Sequence, residues 1–237
     1  MLSPTGAGRD LALYDVASDP GAMRSDRVTA LIEIGFVSPD RGLAGWPEGL
    51  SMQVRQIALF QLAFSLGAWP AWFNSACSSC GAPVDLRVAV DEFEITPAPG
   101  PIPAEIEVEG PSGHVTFRVP TASDERKLES DPTLGLTELC ATADLPRAEI
   151  DAWEQAFDAG LAKVLPGFEP ELPFDCPECG ATSGWWFDPI DWIGQHTRQC
   201  LAEVDTLART YGWSEAAILA LPEARRHQYL SIIGERR

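Results

Sequence analysis

Two short stretches share one pattern. "CSSCGA" begins at Cys77 and "CPECGA" begins at Cys176, and 95 residues separate Cys80 from Cys176. Cysteines at i and i+3 in a tight turn aim both thiolates at one point. A glycine after the second cysteine, here Gly81 and Gly180, permits the positive φ that closes such a turn. Two of these hooks supply four sulfurs, the donor set of a closed tetrahedral zinc site, with Cys77, Cys80, Cys176 and Cys179 as the candidate metal ligands. Two other chemistries draw on the same residues. Independent thioredoxin-like redox pairs would need a helix starting inside each motif. An iron–sulfur cluster usually takes a third cysteine close to a pair. Four sulfurs around zinc leave no open coordination position, so the expected role is structural. Such a site would close a loop of roughly a hundred residues, tying the end of a first helical region to the start of the last one and removing chain entropy as a disulfide does.

Other reactive residues point to no enzyme, and no catalytic or small-molecule cofactor-binding residue is expected. Of three histidines, His196 sits on the apolar stripe of a helix, His114 follows "GPSG" at a strand start, and His227 lies beside Arg225 and Arg226 on a surface helix. None has a Ser, Cys or Asp partner at a spacing that suggests a triad. Cys140 and Cys200 fall on helical apolar faces and read as small buried hydrophobes. Glu105, Glu107 and Glu109 alternate along a strand and share its solvated face rather than forming a hydrolase dyad. Phosphate-cradling and dinucleotide glycine motifs are missing.

The hooks need elements to hold them. "DRVTALIEIGF" places Val28, Leu31, Ile32 and Phe36 at helical spacing, and a second helix over 51–66 puts Val54, Ile57, Ala58, Gln61 and Leu62 on one stripe. The loop "SPDRGLAGWPEG" separates them. After the first hook the period changes to two: "VDLRVAVDEFEI", "AEIEVEG" and "GHVTFRVP" alternate, predicting three or four short strands over 83–120. Helices return near 123–130, 133–142 and 146–165. "ELPFD" enters the second hook as a strand and "WWFD" leaves it as another. Ile193, His196, Cys200, Val204, Leu207 and Tyr211 then mark a long amphipathic helix. Gly212 suits its C-terminal cap, Ser214 can cap "EAAILAL", and Pro222 fits the first turn of "PEARRHQYLSII".

The expected fold is α+β: helical N-terminal and C-terminal parts around a four-cysteine zinc ribbon, with a short-stranded β insertion. By segment, the expectation is an extended arm over 1–22, a helical region over 23–75, the first zinc knuckle and strands over 76–120, an acidic helical segment over 121–170, the second knuckle over 171–190, and C-terminal helices over 191–237. Trp69, Trp72 and Phe73 precede the first hook, and Trp185, Trp186 and Phe187 follow the second. Closing the hooks brings these six rings together; the expectation is that they pack the core beneath the metal, with part of the cluster facing a partner as the alternative.

The formal charge is −18, from 35 acidic and 17 basic residues. Between Asp91 and Gly180 stand 20 acidic residues against 5 basic ones, a net −15 that leaves −3 for the rest of the chain. Such a field repels phosphate backbones, which excludes generic nucleic-acid binding; a zinc-ribbon nucleic-acid-binding or regulatory protein is the competing class. The absence of any run of about eighteen apolar residues predicts no membrane span. The first residues lack the basic flank and apolar stretch of a signal peptide, giving an expectation of cytoplasmic synthesis.

The order of short features resembles the T-even-type phage baseplate protein family, which includes baseplate hub assembly chaperones and components of phage-like contractile injection systems. "GRDLALYD" precedes "SDRVTALI". The C-x-x-C-G hook and an acidic, proline-interrupted region follow, then "FRVPT" at Phe117–Thr121, "CPECG", and "YGWSEAAILALPEARRHQYL" from Tyr211 to Leu230, the most specific block. The resemblance implies a non-enzymatic component or assembly factor of a baseplate hub, with other baseplate, hub or spike proteins as partners. It also implies a cytoplasmic protein during assembly or a resident of the finished extracellular particle.

Overall fold

The computed structural model describes residues 2–3, 6–37 and 46–235. Most of the expected loop "SPDRGLAGWPEG" lies outside the described residues. The chain divides into two compact units, Met1–Trp46 with Pro189–Arg237, and Pro47–Asp188.

The first unit is helical: α1 (Ala7–Ala17), α2 (Arg24–Gly35), and later α7 (Pro189–Tyr211), α8 (Glu215–Leu219) and α9 (Glu223–Glu235). Where an extended arm was expected over 1–22, α1 stands instead. Its Gly- and Asp-rich composition hides a buried set, Ala7, Leu11, Leu13 and Ala17, and α1 packs against α7 and α2. Tertiary burial overrides the poor local propensity. Of the expected α7 stripe, Ile193, Cys200, Val204 and Leu207 are buried, and His196 and Tyr211 are half-buried. The start of α9 differs from a plain surface helix, because Arg226 is buried and its Nε donates to Glu203 Oε2 at 2.9 Å. The N- and C-terminal helices therefore share one core with each other.

Among the described residues, the second unit holds every strand: α3 (Met52–Phe64), β1 (Ala71–Ala76), β2 (Pro83–Val88), β3 (Ile95–Thr96), β4 (Glu105–Gly110), β5 (Gly113–Arg118), α4 (Ala122–Ser130), α5 (Leu136–Cys140), α6 (Ile150–Leu161), β6 (Gly167–Phe168), β7 (Glu171–Asp175) and β8 (Thr182–Trp186). The strands pair antiparallel in twos: β1 with β2, β3 with β6, β4 with β5, and β7 with β8. The helical region expected over 23–75 ends earlier, since β1 begins at Ala71, and β6 interrupts the helical segment expected over 121–170. The stripe on α3 is also rotated from the expected one. Arg55, Ile57, Leu59, Phe60, Leu62 and Ala63 are buried, and Gln61 is exposed. Phe60 sets that orientation by packing edge-on against Phe93, Phe168 and Phe187.

A second core joins the β4–β5 hairpin to α5 and α6 through Ile106, Val108, Phe117, Cys140, Trp153 and Phe157. Asp124, 0% exposed, anchors α4 to it. Burial alone would push this carboxyl up, but Arg118, paired to it at 3.1 Å, and the Thr121 amide hold it below its usual range.

Candidate metal centre

Each hook is the turn of a hairpin, and the two hairpins repeat each other rung for rung. In the first, Ala76 faces Pro83, Ser75 faces Val84, and the register runs out to Trp72 opposite Arg87. In the second, Asp175 faces Thr182, Phe174 faces Ser183, and the register runs out to Glu171 opposite Trp186. The turns match in detail. Cys77 N donates to Ala82 O at 2.9 Å and Gly81 N to Cys77 O at 2.9 Å; Cys176 N donates to Ala181 O at 3.0 Å and Gly180 N to Cys176 O at 2.9 Å. Gly81 and Gly180 have φ of 72° and 70°, the left-handed conformation the sequence required of them.

The two turns bring all four cysteines together. Their sulfurs lie within 4.8 Å of one another, a cluster that could hold a metal ion. Cys77 Sγ is 3.7 Å from Cys179 Sγ, and Cys80 Sγ is 3.7 Å from Cys176 Sγ, so each close pair spans the two hooks. Cys77 and Cys176 are buried, 3% and 2% exposed, while Cys80 and Cys179 face solvent. Val84, Leu86, Phe174 and the two hook alanines, Ala82 and Ala181, pack around the buried pair. None of the four is in a disulfide, and neither hook starts a helix, which the redox-pair chemistry would need.

Ser183 is a site residue the sequence reading missed. It is buried, and its Oγ donates to Cys77 Sγ at 3.6 Å while contacting Ser78 N and Ser78 Oγ. The Cys77 thiol is pulled down to about 6 by the Cys80 backbone N–H, the Ser183 hydroxyl and the Ser79 N–H. At Cys80 the Ala82 N–H pulls downward, but hydrogen bonding with Cys179, desolvation and the other thiols outweigh it and hold Cys80 at about 12. A thiol held below its usual range gives up its proton to an incoming cation more readily. Aligning the hooks on their second cysteine shows the signal: Ser183 occupies the place that Val84 takes in the first hairpin.

The remaining cysteines stay outside the site. Burial pushes Cys140 up to about 11 and raises Cys200, so both are inert thiols in apolar cores. His114 is exposed. His196 Nδ1 lies 2.9 Å from Trp192 O, and its ring stacks on Trp192 at 3.7 Å. His227 Nε2 reaches Glu203 Oε1 at 3.3 Å. Glu105, Glu107 and Glu109 line an exposed face, as their alternation predicted.

The six aromatic residues divide. Phe73 packs on Trp185 at 4.6 Å, and Trp69, Trp185 and Phe187 join Phe60, Phe64 and Phe93 in one aromatic core. Trp72 and Trp186 do not join it and are 68% and 60% exposed. They occupy the same outer rung of the two hairpins, on opposite strands. Among the described residues, no helix is long and apolar enough to cross a membrane. Comparison with protein-family models, with curated proteins and with solved structures finds no match to this chain.

Proposed function

We propose that Cys77, Cys80, Cys176 and Cys179 hold one structural zinc ion, that their two hairpins form a zinc ribbon, and that the protein works without catalysis as a component or assembly factor of the baseplate hub of a contractile tail-like particle. The observation that carries the metal reading is the 3.7 Å spacing between sulfurs of opposite hooks. Four thiolates at about 2.3 Å from a tetrahedral ion stand about 3.8 Å apart. All four donors come from the chain, so such an ion has no position left for water or substrate, and its contribution is to folding. The baseplate half of the reading rests on the resemblance of the sequence blocks. It is supported by two features suited to docking between other proteins: the exposed Trp72 and Trp186, and the acidic stretch from Asp91 to Gly180.

Metal analysis of the purified protein tests the first half. One zinc per chain is expected; iron, or a loosely held ion with a coordinated water, overturns it. Co-purification with hub or spike subunits tests the second. Alanine at Trp72 and Trp186 should weaken that association without shifting the melting temperature. Tight DNA binding at low salt would instead favour a nucleic-acid-binding ribbon.

A further inference from the structure

The two edges of the β4–β5 hairpin are treated differently. Residues of the hairpin alternate between those whose backbone groups point at the partner strand and those whose groups point away. Val119 N donates to Ala104 O at 2.9 Å, which sets that phase. The pairs Ile106–Phe117 and Val108–Val115 are thus the mutually bonded ones, and the backbone groups of Glu105, Glu107 and Glu109 point outward. The outward edge of β5 is occupied: Thr142 N donates to Thr116 O at 3.0 Å, and Phe117 forms a bridge with Ala141. The outward edge of β4 has no backbone partner among the described residues.

Beside that open edge runs a groove of about 410 Å³, between β4 and α6. Its floor is Ile106 and Val108 with Ala156, Gly160 and Val164, and Lys163 is the single cation among the lining residues. The small residues of α6 are what leave the room. A Cβ on Gly160 would stand 3.0 Å from Val108 and 3.1 Å from Ile106, so the helix lies flat against the strand there. The opposite face of β4 carries only the carboxylates of Glu105, Glu107 and Glu109, all exposed.

We infer that the open edge of β4 is a docking site for an extended segment of a partner protein, one that alternates basic and apolar residues. An added strand pairs its backbone with Glu105, Glu107 and Glu109. Its side chains then alternate between two surroundings. One set lies on the glutamate face, where Lys or Arg forms cross-strand ion pairs; the other drops onto the Ala156–Gly160 surface, where apolar side chains fit. The charge also decides the occupant. Two copies of this chain pairing through β4 would set glutamates against glutamates, which is destabilising. A basic strand relieves that repulsion. The inference deepens the partner half of the proposed function, naming the chemistry of a segment that the acidic stretch would receive.

A synthetic seven-residue peptide of alternating lysine and valine, added to the full zinc-loaded chain, tests it. In the free protein the amides of Glu105, Glu107 and Glu109 should exchange rapidly with solvent. The peptide should slow those three amides, bind more weakly as salt rises, and give way to no binding when its lysines are replaced by glutamates. Glu107→Gln should weaken binding about two- to fivefold, the range for one cross-strand pair. Ala159→Lys, an exposed substitution on the groove wall, should weaken it similarly by repulsion. Two further peptides carry N-methyl groups on every lysine or on every valine. A strand added to an edge uses only one of these two sets of N–H groups, so one version should lose binding and the other keep it. Equal behaviour of the two versions, no binding by the parent peptide, or protection of the three amides before it is added overturns the inference. Any of these outcomes leaves the zinc site and hub association standing. Loss of hub association with peptide binding intact would fault the baseplate reading alone.

Discussion

The two cysteine hairpins are copies in backbone and unlike in surroundings. Both turn through C-x-x-C-G-A with the same pair of hydrogen bonds and the same left-handed glycine. Yet Ser183 of the second hairpin reaches across to the first hook and bonds Cys77, whereas Val84, its counterpart, is an apolar member of the cluster around the buried cysteines. Backbone turn geometry is set locally by spacing and glycine. The polarity felt by each sulfur is set by the hairpin that faces it. A site with matching turns can therefore hold inequivalent thiols, of which Cys77 receives a hydroxyl from the facing hairpin.

The comparison breaks first at the ligands. Cys77→Ser and Cys176→Ser should each lower the melting temperature by about 10 °C or more, because each opens the same closed site and metal binding is coupled to folding. Thermal unfolding of the two variants should coincide; a variant that melts with the wild type overturns the staple. A strong chelator should reproduce the same loss in the wild type and add nothing in Cys176→Ser, measured by the same melting curve.

Smaller changes sharpen the likeness and the difference in turn. Gly81→Ala and Gly180→Ala, at φ of 72° and 70°, should each cost about 1–2 kcal/mol, equally, in chemical denaturation. Unequal costs would mean the turns are not equivalent in the folded chain. Ser183→Ala should lower metal affinity by about tenfold, while Val84→Ala should leave affinity nearly unchanged, as read by competition with a coloured chelator.

The pH dependence follows from Cys77. Its thiol is depressed to about 6 from an ordinary value near 9, so the stability it contributes is present above that ordinary value and is lost as pH falls through about 6. Removing the Ser183 hydroxyl raises the thiol again. Protons then displace the metal at a higher pH in Ser183→Ala than in the wild type, and metal retention along an acid titration measures the shift. An unchanged midpoint would show that the hydroxyl does not tune the thiolate.

Much of the site was legible in the chain because its information is local. The repeated spacing named the four cysteines, the period-two stretches named the strands over 83–120 but not β1, and the glutamates of 105–109 announced an exposed face. What stayed hidden depends on contacts between distant segments. Ser183 reads as a polar strand residue until the hairpins are stacked. Arg55, 1% exposed, reads as a surface cation until Glu125, 70 positions away, accepts from its Nε at 3.2 Å. The arm expected at 1–22 is a helix because α7, far along the chain, supplies the surface that buries Ala7 and Leu11.

The sequence by itself determined the hooks, their four cysteines and most of the strands and helices, β1 excepted, because turn closure and side-chain periodicity act over a few residues. Only the tertiary structure decided which sulfur receives a hydroxyl, which tryptophans stay in solvent and which edge of β4–β5 remains open. Those outcomes depend on what packs against each element, and the partner surface is supplied from dozens of residues away.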